Sequence, residues 1–327
     1  MLMKLIGQAI FAIAMIQILP ADAAYLEWIA GAGSFESAQF SGQELSIPTN
    51  FLPIAEERVE RDFPVKIDTD SYGIVTTAHS ALVVDSASGM VLLAKHPNDV
   101  RPIGSVTKLM SALVFLDTEP DLTRLVSLDP SLDLVTGGRI YLAFYDPLKL
   151  EDVLAASLVG SDNTATESLA RFSGMSKEVF VQKMNEKAKD FGMNSTIFTD
   201  PTGIDATNTS TATDLIKLLE TAETKLILKK YMTSESIQIV QNSGQVITIE
   251  NTDKLLASYL NEGSYKIVGG KTGYLPQAGY VLVTTIDREG DAVHVVVMGA
   301  ESKDARVNEA KGLAAWAFKV FSWPQKP

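Results

Sequence analysis

The chain has 327 residues, 46% hydrophobic and 21% charged, which is enough to bury a sizeable core in one large domain or two small ones. Its formal net charge is -12 with the cations scattered, which argues against nucleic acid as a partner and leaves no basic patch for a membrane surface. Cysteine is absent, so thiol catalysis, disulfides and Cys-ligated zinc are excluded; His79, His96 and His294 show no metal-ligand spacing, and no metal site is expected.

Residues 1–23 read as a secretory signal: Lys4 is the charged start, Leu5 to Leu19 an apolar run, and Ala21-Asp22-Ala23 a small-residue cleavage site. The run is shorter than the ~20 residues a spanning helix needs and carries Gln8 and Gln17. Export to the periplasm or cell-wall compartment is expected, with no stable membrane anchor after cleavage. Residues 24–75, where Gly, Ser, Pro and a charged cluster from Glu56 to Asp62 alternate with isolated aromatics, read as a loosely structured lead-in. The remaining 76–323 form the expected catalytic domain.

Two strand-like runs, Ala81 to Asp85 and Met90 to Ala94, flank a Ser86-Ala87-Ser88-Gly89 hairpin turn. From Arg101 a loop containing Pro102 and Gly104 turns into a helix, on which Leu109, Met110, Leu113 and Val114 fall on one apolar face. Ser105 stands at the start of this helix and Lys108 one turn later on the same face. A hydroxyl is a weak nucleophile until a base takes its proton, and a neutral amine at that spacing can do so. The N-terminal N–H groups of the helix would face a developing oxyanion.

The middle of the chain is helix-rich. Gly137 to Leu142 reads as a short extended segment, and helices are expected over 150–159, 164–172, 176–191 and 211–222. Ser161-Asp162-Asn163 follows the Gly160 stop, with Asp162 read as a local cap, and Asp200-Pro201-Thr202-Gly203 is a turn. The last third is β-rich: Val246 to Ile249, a glycine-interrupted Tyr265 to Tyr274, and a pair of runs at 279–285 and 293–298 across a turn at 287–291. A helix over 304–321 ends the chain. Strands at both ends with helices between them give an α+β fold class: one antiparallel sheet from N- and C-terminal strands, flanked by helices, with an inserted helical lobe.

Ser105-x-x-Lys108, Ser161-Asp162-Asn163 and Lys271-Thr272-Gly273 stand in that order. Each is weak alone; the ordered set is the mark of penicillin-binding proteins and class A β-lactamases. From about Ser80 to Ala300 the chain resembles the D-alanyl-D-alanine carboxypeptidase family of low-molecular-weight penicillin-binding proteins. Besides the trio, the resemblance is carried by Val84-Asp85 to Gly89, Gly137-x-Arg139-x-Tyr141-Leu142, Met184-Asn185, Gly192-Met193, Asp200 to Gly203, Ser210-Thr211 to Asp214, and Gly279-Tyr280. Asp162 departs from the small residue usual there. In ending at Pro327, without a further β-rich domain or amphipathic anchor, the chain resembles the D-Ala-D-Ala endopeptidase branch.

The resemblance implies a β-lactamase/transpeptidase-like fold and a serine-type D-Ala-D-Ala carboxypeptidase. It would need no cofactor, act on peptidoglycan stem peptides ending in D-Ala-D-Ala, and be blocked covalently by β-lactam antibiotics. Ser105 would attack the penultimate carbonyl, and Lys108 would take its proton, kept neutral by burial and the nearby Lys271 charge. Ser161 would relay a proton to the leaving amine, and Asn163 would bond the substrate amide and Lys108. Lys271 and Thr272 would hold the terminal carboxylate, Gly273 would allow close approach, and the Ser105 and Tyr274 N–H groups would form the oxyanion hole. An endopeptidase cutting cross-links shares this chemistry. A class A β-lactamase would need a Glu-x-x-Leu-Asn loop after the second motif, which does not occur between Asn163 and Lys271. A non-catalytic peptidoglycan-binding scaffold is the reading from another class; the intact set of reactive residue types speaks against it.

Overall fold

The structure is a computed structural model that describes residues 63–324. The expected signal segment and the lead-in as far as residue 62 lie outside the described residues. In chain order the strands are β1 (Val65–Lys66), β2 (Ser80–Asp85), β3 (Val91–Lys95), β4 (Arg101–Pro102), β5 (Leu125–Val126), β6 (Leu148–Lys149), β7 (Thr209–Ser210), β8 (Ser236–Val240), β9 (Val246–Glu250), β10 (Tyr265–Leu275), β11 (Gly279–Arg288), β12 (Asp291–Ala300) and β13 (Phe321–Ser322). The α-helices are α1 (Thr107–Leu116), α2 (Pro130–Asp133), α3 (Leu150–Val159), α4 (Asn163–Phe172), α5 (Lys177–Asp190), α6 (Ala212–Glu223), α7 (Leu226–Met232) and α8 (Lys303–Val320).

Five strands form one antiparallel sheet in the order β10-β11-β12-β2-β3. The N-terminal hairpin therefore joins the C-terminal strands, through pairs such as Val83 with Val295. Side chains alternate across a strand, and here each set has its own core. Leu82, Val84, Val281, Val283, Val296 and Met298 pack with α1 and the helical lobe. Ala81, Val83, Leu282, Val293, Val295 and Val297 pack with Ala310, Leu313, Ala314 and Ala317 of α8. Covering both faces is why β11 and β12 read as continuous apolar runs rather than alternating ones. The result is the expected α+β architecture with an inserted helical lobe.

α1 lies in the middle of this lobe, with every residue from Thr107 to Phe115 buried. A helix buried on all sides belongs in a core, and α1 keeps its few polar side chains, Thr107, Lys108 and Ser111, hydrogen-bonded there; burying Leu109, Leu113 and Phe115 is worth about 1.5–3 kcal/mol each. The element therefore holds Lys108 rigidly and dry. Asp162, Ser176, Thr211 and Ser302 cap α4, α5, α6 and α8 through side-chain acceptors.

Three details differ from the sequence reading. Gly137 to Leu142 forms no strand, because Gly137 (φ +90°) and Gly138 (φ +144°) bend it into an irregular loop. β8 and α7, not foreseen, complete the helical lobe. The end of the lead-in is fastened down: β1 pairs with β13, and Trp316 Nε1 donates to Ser71 Oγ at 2.8 Å. Among the described residues no helix is long and apolar enough to cross a membrane.

Candidate active site

Ser105 sits in a single 3-10 turn, Gly104–Val106, that leads directly into α1. The turn is fixed from both sides. Upstream, β4 pairs with β7, and Ile103 N donates to Asn208 O. Gly104 takes φ +54° and packs so closely on β10 that a Cβ would stand 2.9 Å from Tyr274 N. A Cβ on Gly273 would come within 2.2 Å of Ile103 O. Ser105, Gly273 and Tyr274 are thereby brought together as backbone, the arrangement an oxyanion hole needs.

Lys108 is fully buried below Ser105. Its Nζ donates to Ser105 Oγ at 3.1 Å, to Asn163 Oδ1 at 2.6 Å and to the Thr202 carbonyl at 2.6 Å. Burial pushes this amine down to about 7, against the Asp200 and Asp162 carboxylates, which raise it. The expected contribution of Lys271 falls on the other partner: repulsion from Lys108 lowers Lys271.

The second motif enters between α3 and α4. Ser161 adopts φ +58°, a left-handed conformation that turns the chain sharply after Gly160. Asp162 Oδ1 accepts from Ala165 N at 3.0 Å and caps α4, while its Oδ2 accepts from Tyr141 N at 2.9 Å. That second bond ties the irregular 137–142 loop to the motif. Asn163 places Oδ1 on Lys108 and donates from Nδ2 to the Gly137 carbonyl.

The third motif lies on β10. Lys271 Nζ donates to Ser161 Oγ at 3.0 Å and to Thr272 O at 3.2 Å. Thr272 Oγ1 donates to Thr252 Oγ1 at 2.7 Å. Lys271 is held well below the ordinary lysine range by burial first, then by Lys108 and Arg306; Asp253 opposes the shift. Tyr274 is half exposed, with its ring 4.4 Å from that of Tyr280.

Ser105, Ser161, Asn163, Thr272, Gly273 and Tyr274 line one cleft of about 650 Å³, with Lys108 and Lys271 in its floor through the bonds above. All eight residues singled out from the sequence therefore come together. A separate hollow of about 560 Å³ on the lobe, lined among others by Leu148, Asp152 and Tyr231, contains none of them. No group of His, Asp or Glu among the described residues is arranged to hold a metal ion.

Sequence reasoning missed three supports. The Thr202 carbonyl is aimed at Lys108 by Asp200, whose Oδ1 accepts from Thr202 N at 2.6 Å and Gly203 N at 2.8 Å. Asn208 bonds Thr107, the Asp200 carbonyl and the Asp200 carboxylate. Arg306, buried, donates to the Gly273 carbonyl at 3.1 Å. The turn at 200–203 signals a special backbone but not a carbonyl target. Arg306 reads in sequence as an ordinary charge near a helix start.

Residues 68–302 match the peptidase family described as D-alanyl-D-alanine carboxypeptidase. The chain belongs to this family. A D-alanyl-D-alanine endopeptidase of Escherichia coli is 34% identical over 239 residues, 72% of this chain and 76% of that protein. A D-alanyl-D-alanine carboxypeptidase of Mycobacterium tuberculosis is 30% identical over 256 residues, 74% of this chain and 83% of its own. The crystal structure of a Streptomyces DD-transpeptidase superposes with a TM-score of 0.70 at 26% identity, covering 76% of this chain and 100% of that one. These neighbours share the transpeptidase/β-lactamase fold of penicillin-binding DD-peptidases, as the three motifs led one to expect.

Proposed function

We propose that this member of the family is an exported serine DD-peptidase that cuts D-alanyl bonds of peptidoglycan through an acyl-enzyme on Ser105. The observation that carries the reading is the convergence on one cleft of a hydroxyl, a buried amine near neutrality and a cationic strand. In this reading neutral Lys108 takes the Ser105 proton as the hydroxyl attacks the carbonyl carbon of the D-Ala that precedes the scissile bond. The Ser105 and Tyr274 N–H groups hold the oxyanion; removing such a donor typically costs about 10² to 10³ in rate. Ser161, hydrogen-bonded to Lys271, relays to the leaving amine the proton that Lys108 took from Ser105, the C–N bond breaks, and water then hydrolyses the ester. Asn163 orients Lys108 and the substrate amide, and Lys271 with Thr272 holds the carboxylate beside the scissile bond.

That carboxylate is present both on a free D-Ala-D-Ala terminus and on the D-centre of a cross-link, so the clamp serves either substrate. The sequence alone puts the carboxypeptidase first. The greater similarity to the endopeptidase relative supports hydrolysis of cross-links as the principal activity, with trimming of free stem peptides as the second reading. β-Lactam antibiotics are the covalent inhibitors this site would take. Labelling with fluorescent penicillin tests the site: wild type acquires the label and Ser105→Ala does not. Mass spectrometry of products from a cross-linked dimer and a pentapeptide separates the two readings; release from the pentapeptide alone would reverse their order.

A further inference from the structure

Ser161 is neither glycine nor asparagine, yet it holds φ +58°. For such a residue the left-handed region costs about 1–3 kcal/mol and persists only where the surroundings over-determine it. A return to negative φ would swing Oγ away from Lys271 Nζ, which lies 3.0 Å from it. Tyr141 reaches both neighbours of this strained residue. Its N–H donates to Asp162 Oδ2 at 2.9 Å. Its ring stands where a side chain on Gly160 would be: a Cβ there would lie 2.6 Å from Tyr141 Cε2 and 2.7 Å from Cγ2 of Ile249, which is buried on β9. Gly160 itself has φ -78° and ψ -13°, a backbone open to any residue, so the room it leaves serves that packing and not a turn.

We propose that Tyr141 is a positioning residue of the DD-peptidase site: with its ring on Gly160 and its N–H on Asp162, it spans Ser161 and keeps that hydroxyl on Lys271 and directed at the leaving amine. The proposal rests on the reading of Ser161 as proton relay given above. The ring acts through its shape, by filling the space over Gly160, so phenylalanine should serve in its place. The loop that carries it is held at the same motif: Asn163 Nδ2 donates to the Gly137 carbonyl and lies 3.0 Å from where a Cβ on Gly138 would be. The chemical consequence is selective. As an amide's C–N bond breaks, its nitrogen must receive the proton that Lys108 took from Ser105. A thiolester's C–S bond breaks to a thiolate that leaves without one. Displacing Ser161 therefore penalises the amide and spares the thiolester.

The test is Tyr141→Ala, with kcat/KM measured on a D-Ala-D-Ala stem peptide and on a thiolester of the same acyl part. Any contact of the ring with the shared acyl part cancels in the ratio of the two. The amide should lose about 10- to 100-fold more than the thiolester. Tyr141→Phe, which keeps the ring, should recover most of that ratio relative to Tyr141→Ala. Gly160→Ala leaves the Tyr141 N–H in place and pushes the ring aside; it should show the same selective loss, and it carries the test where Tyr141→Ala does not fold. A crystal structure of the full chain with Gly160→Ala should show Ser161 Oγ withdrawn from Lys271. Equal losses on both substrates, a Tyr141→Phe as impaired as Tyr141→Ala, or a displaced ring with Ser161 unmoved overturns the proposal. The crystal structure does not depend on catalysis, so a failure of penicillin to label Ser105 sinks the enzymatic reading separately from the hold on Ser161.

Discussion

Lys271 Nζ and Ser161 Oγ lie 3.0 Å apart, so the second and third motifs are already joined before any substrate arrives. The contact sets what each can do. Lys271 cannot move without releasing the hydroxyl that, in the proposed reading, passes a proton to the leaving group. In that reading a bound substrate carboxylate would complete the set from the open side.

Lys271→Ala should therefore act on substrates according to their terminus. A hydrogen bond to a charged group contributes about 1.5–3 kcal/mol, which corresponds to about 10- to 100-fold in kcat/KM for a carboxylate-terminated peptide. A carboxamide-terminated peptide should lose less. Steady-state kinetics on the two peptides checks this; equal losses would mean that Lys271 does not read the carboxylate.

The pH dependence of acylation follows from Lys108. Only the neutral amine accepts the Ser105 proton, and burial brings its pKa down to about 7. The rate of penicillin acylation should rise with pH through about 7, falling roughly tenfold per unit below it. Stopped-flow measurement of acylation over that range would reveal the limb. A rate independent of pH between 5.5 and 8 would remove Lys108 from the role of base.

Much of this site was legible in the sequence because its chemistry lies in side chains with fixed spacing. Ser105 and Lys108 declare themselves by one helical turn, Lys271 to Gly273 by a strand and a glycine, and the α+β class by strands at both chain ends. What was not legible depends on three-dimensional burial or on backbone atoms. The Thr202 carbonyl accepts from Lys108 only because Asp200 gathers the N–H groups of its own turn. The Gly137 to Leu142 segment has strand-like composition, but two left-handed glycines and the bond from Tyr141 N to Asp162 make it a cleft wall.

Gly203→Ala tests the tightest of these backbone contacts. Gly203 has φ +78°, and a Cβ there would lie 2.0 Å from the Gly104 carbonyl oxygen, next to the turn that carries Ser105. Backbone meets backbone, so no side chain can swing away. The expected cost is about 2 kcal/mol or more, read as a lower thermal midpoint, together with slowed acylation because Thr202 shifts away from Lys108. A variant with the wild-type midpoint and acylation rate would mean that the two loops are not pressed together as described.

Asp162 separates capping from electrostatics. Its carboxylate caps α4, holds Tyr141 N, and raises the Lys108 pKa. Asp162→Ala removes all three functions: loss of the cap costs about 1 kcal/mol, and the part-buried Tyr141 N–H, left without its acceptor, adds to that cost. Asp162→Asn keeps one acceptor oxygen for Ala165 and sheds the charge, so its thermal midpoint should fall less. Removing an anion near a lysine disfavours the protonated amine. In Asp162→Asn the acid limb of acylation should therefore move below its wild-type position, whereas a purely structural role would lower the whole profile without moving it. Differential scanning fluorimetry on both variants, with acylation profiles of wild type and Asp162→Asn, distinguishes the cases; a limb that moves upward would contradict the electrostatic role.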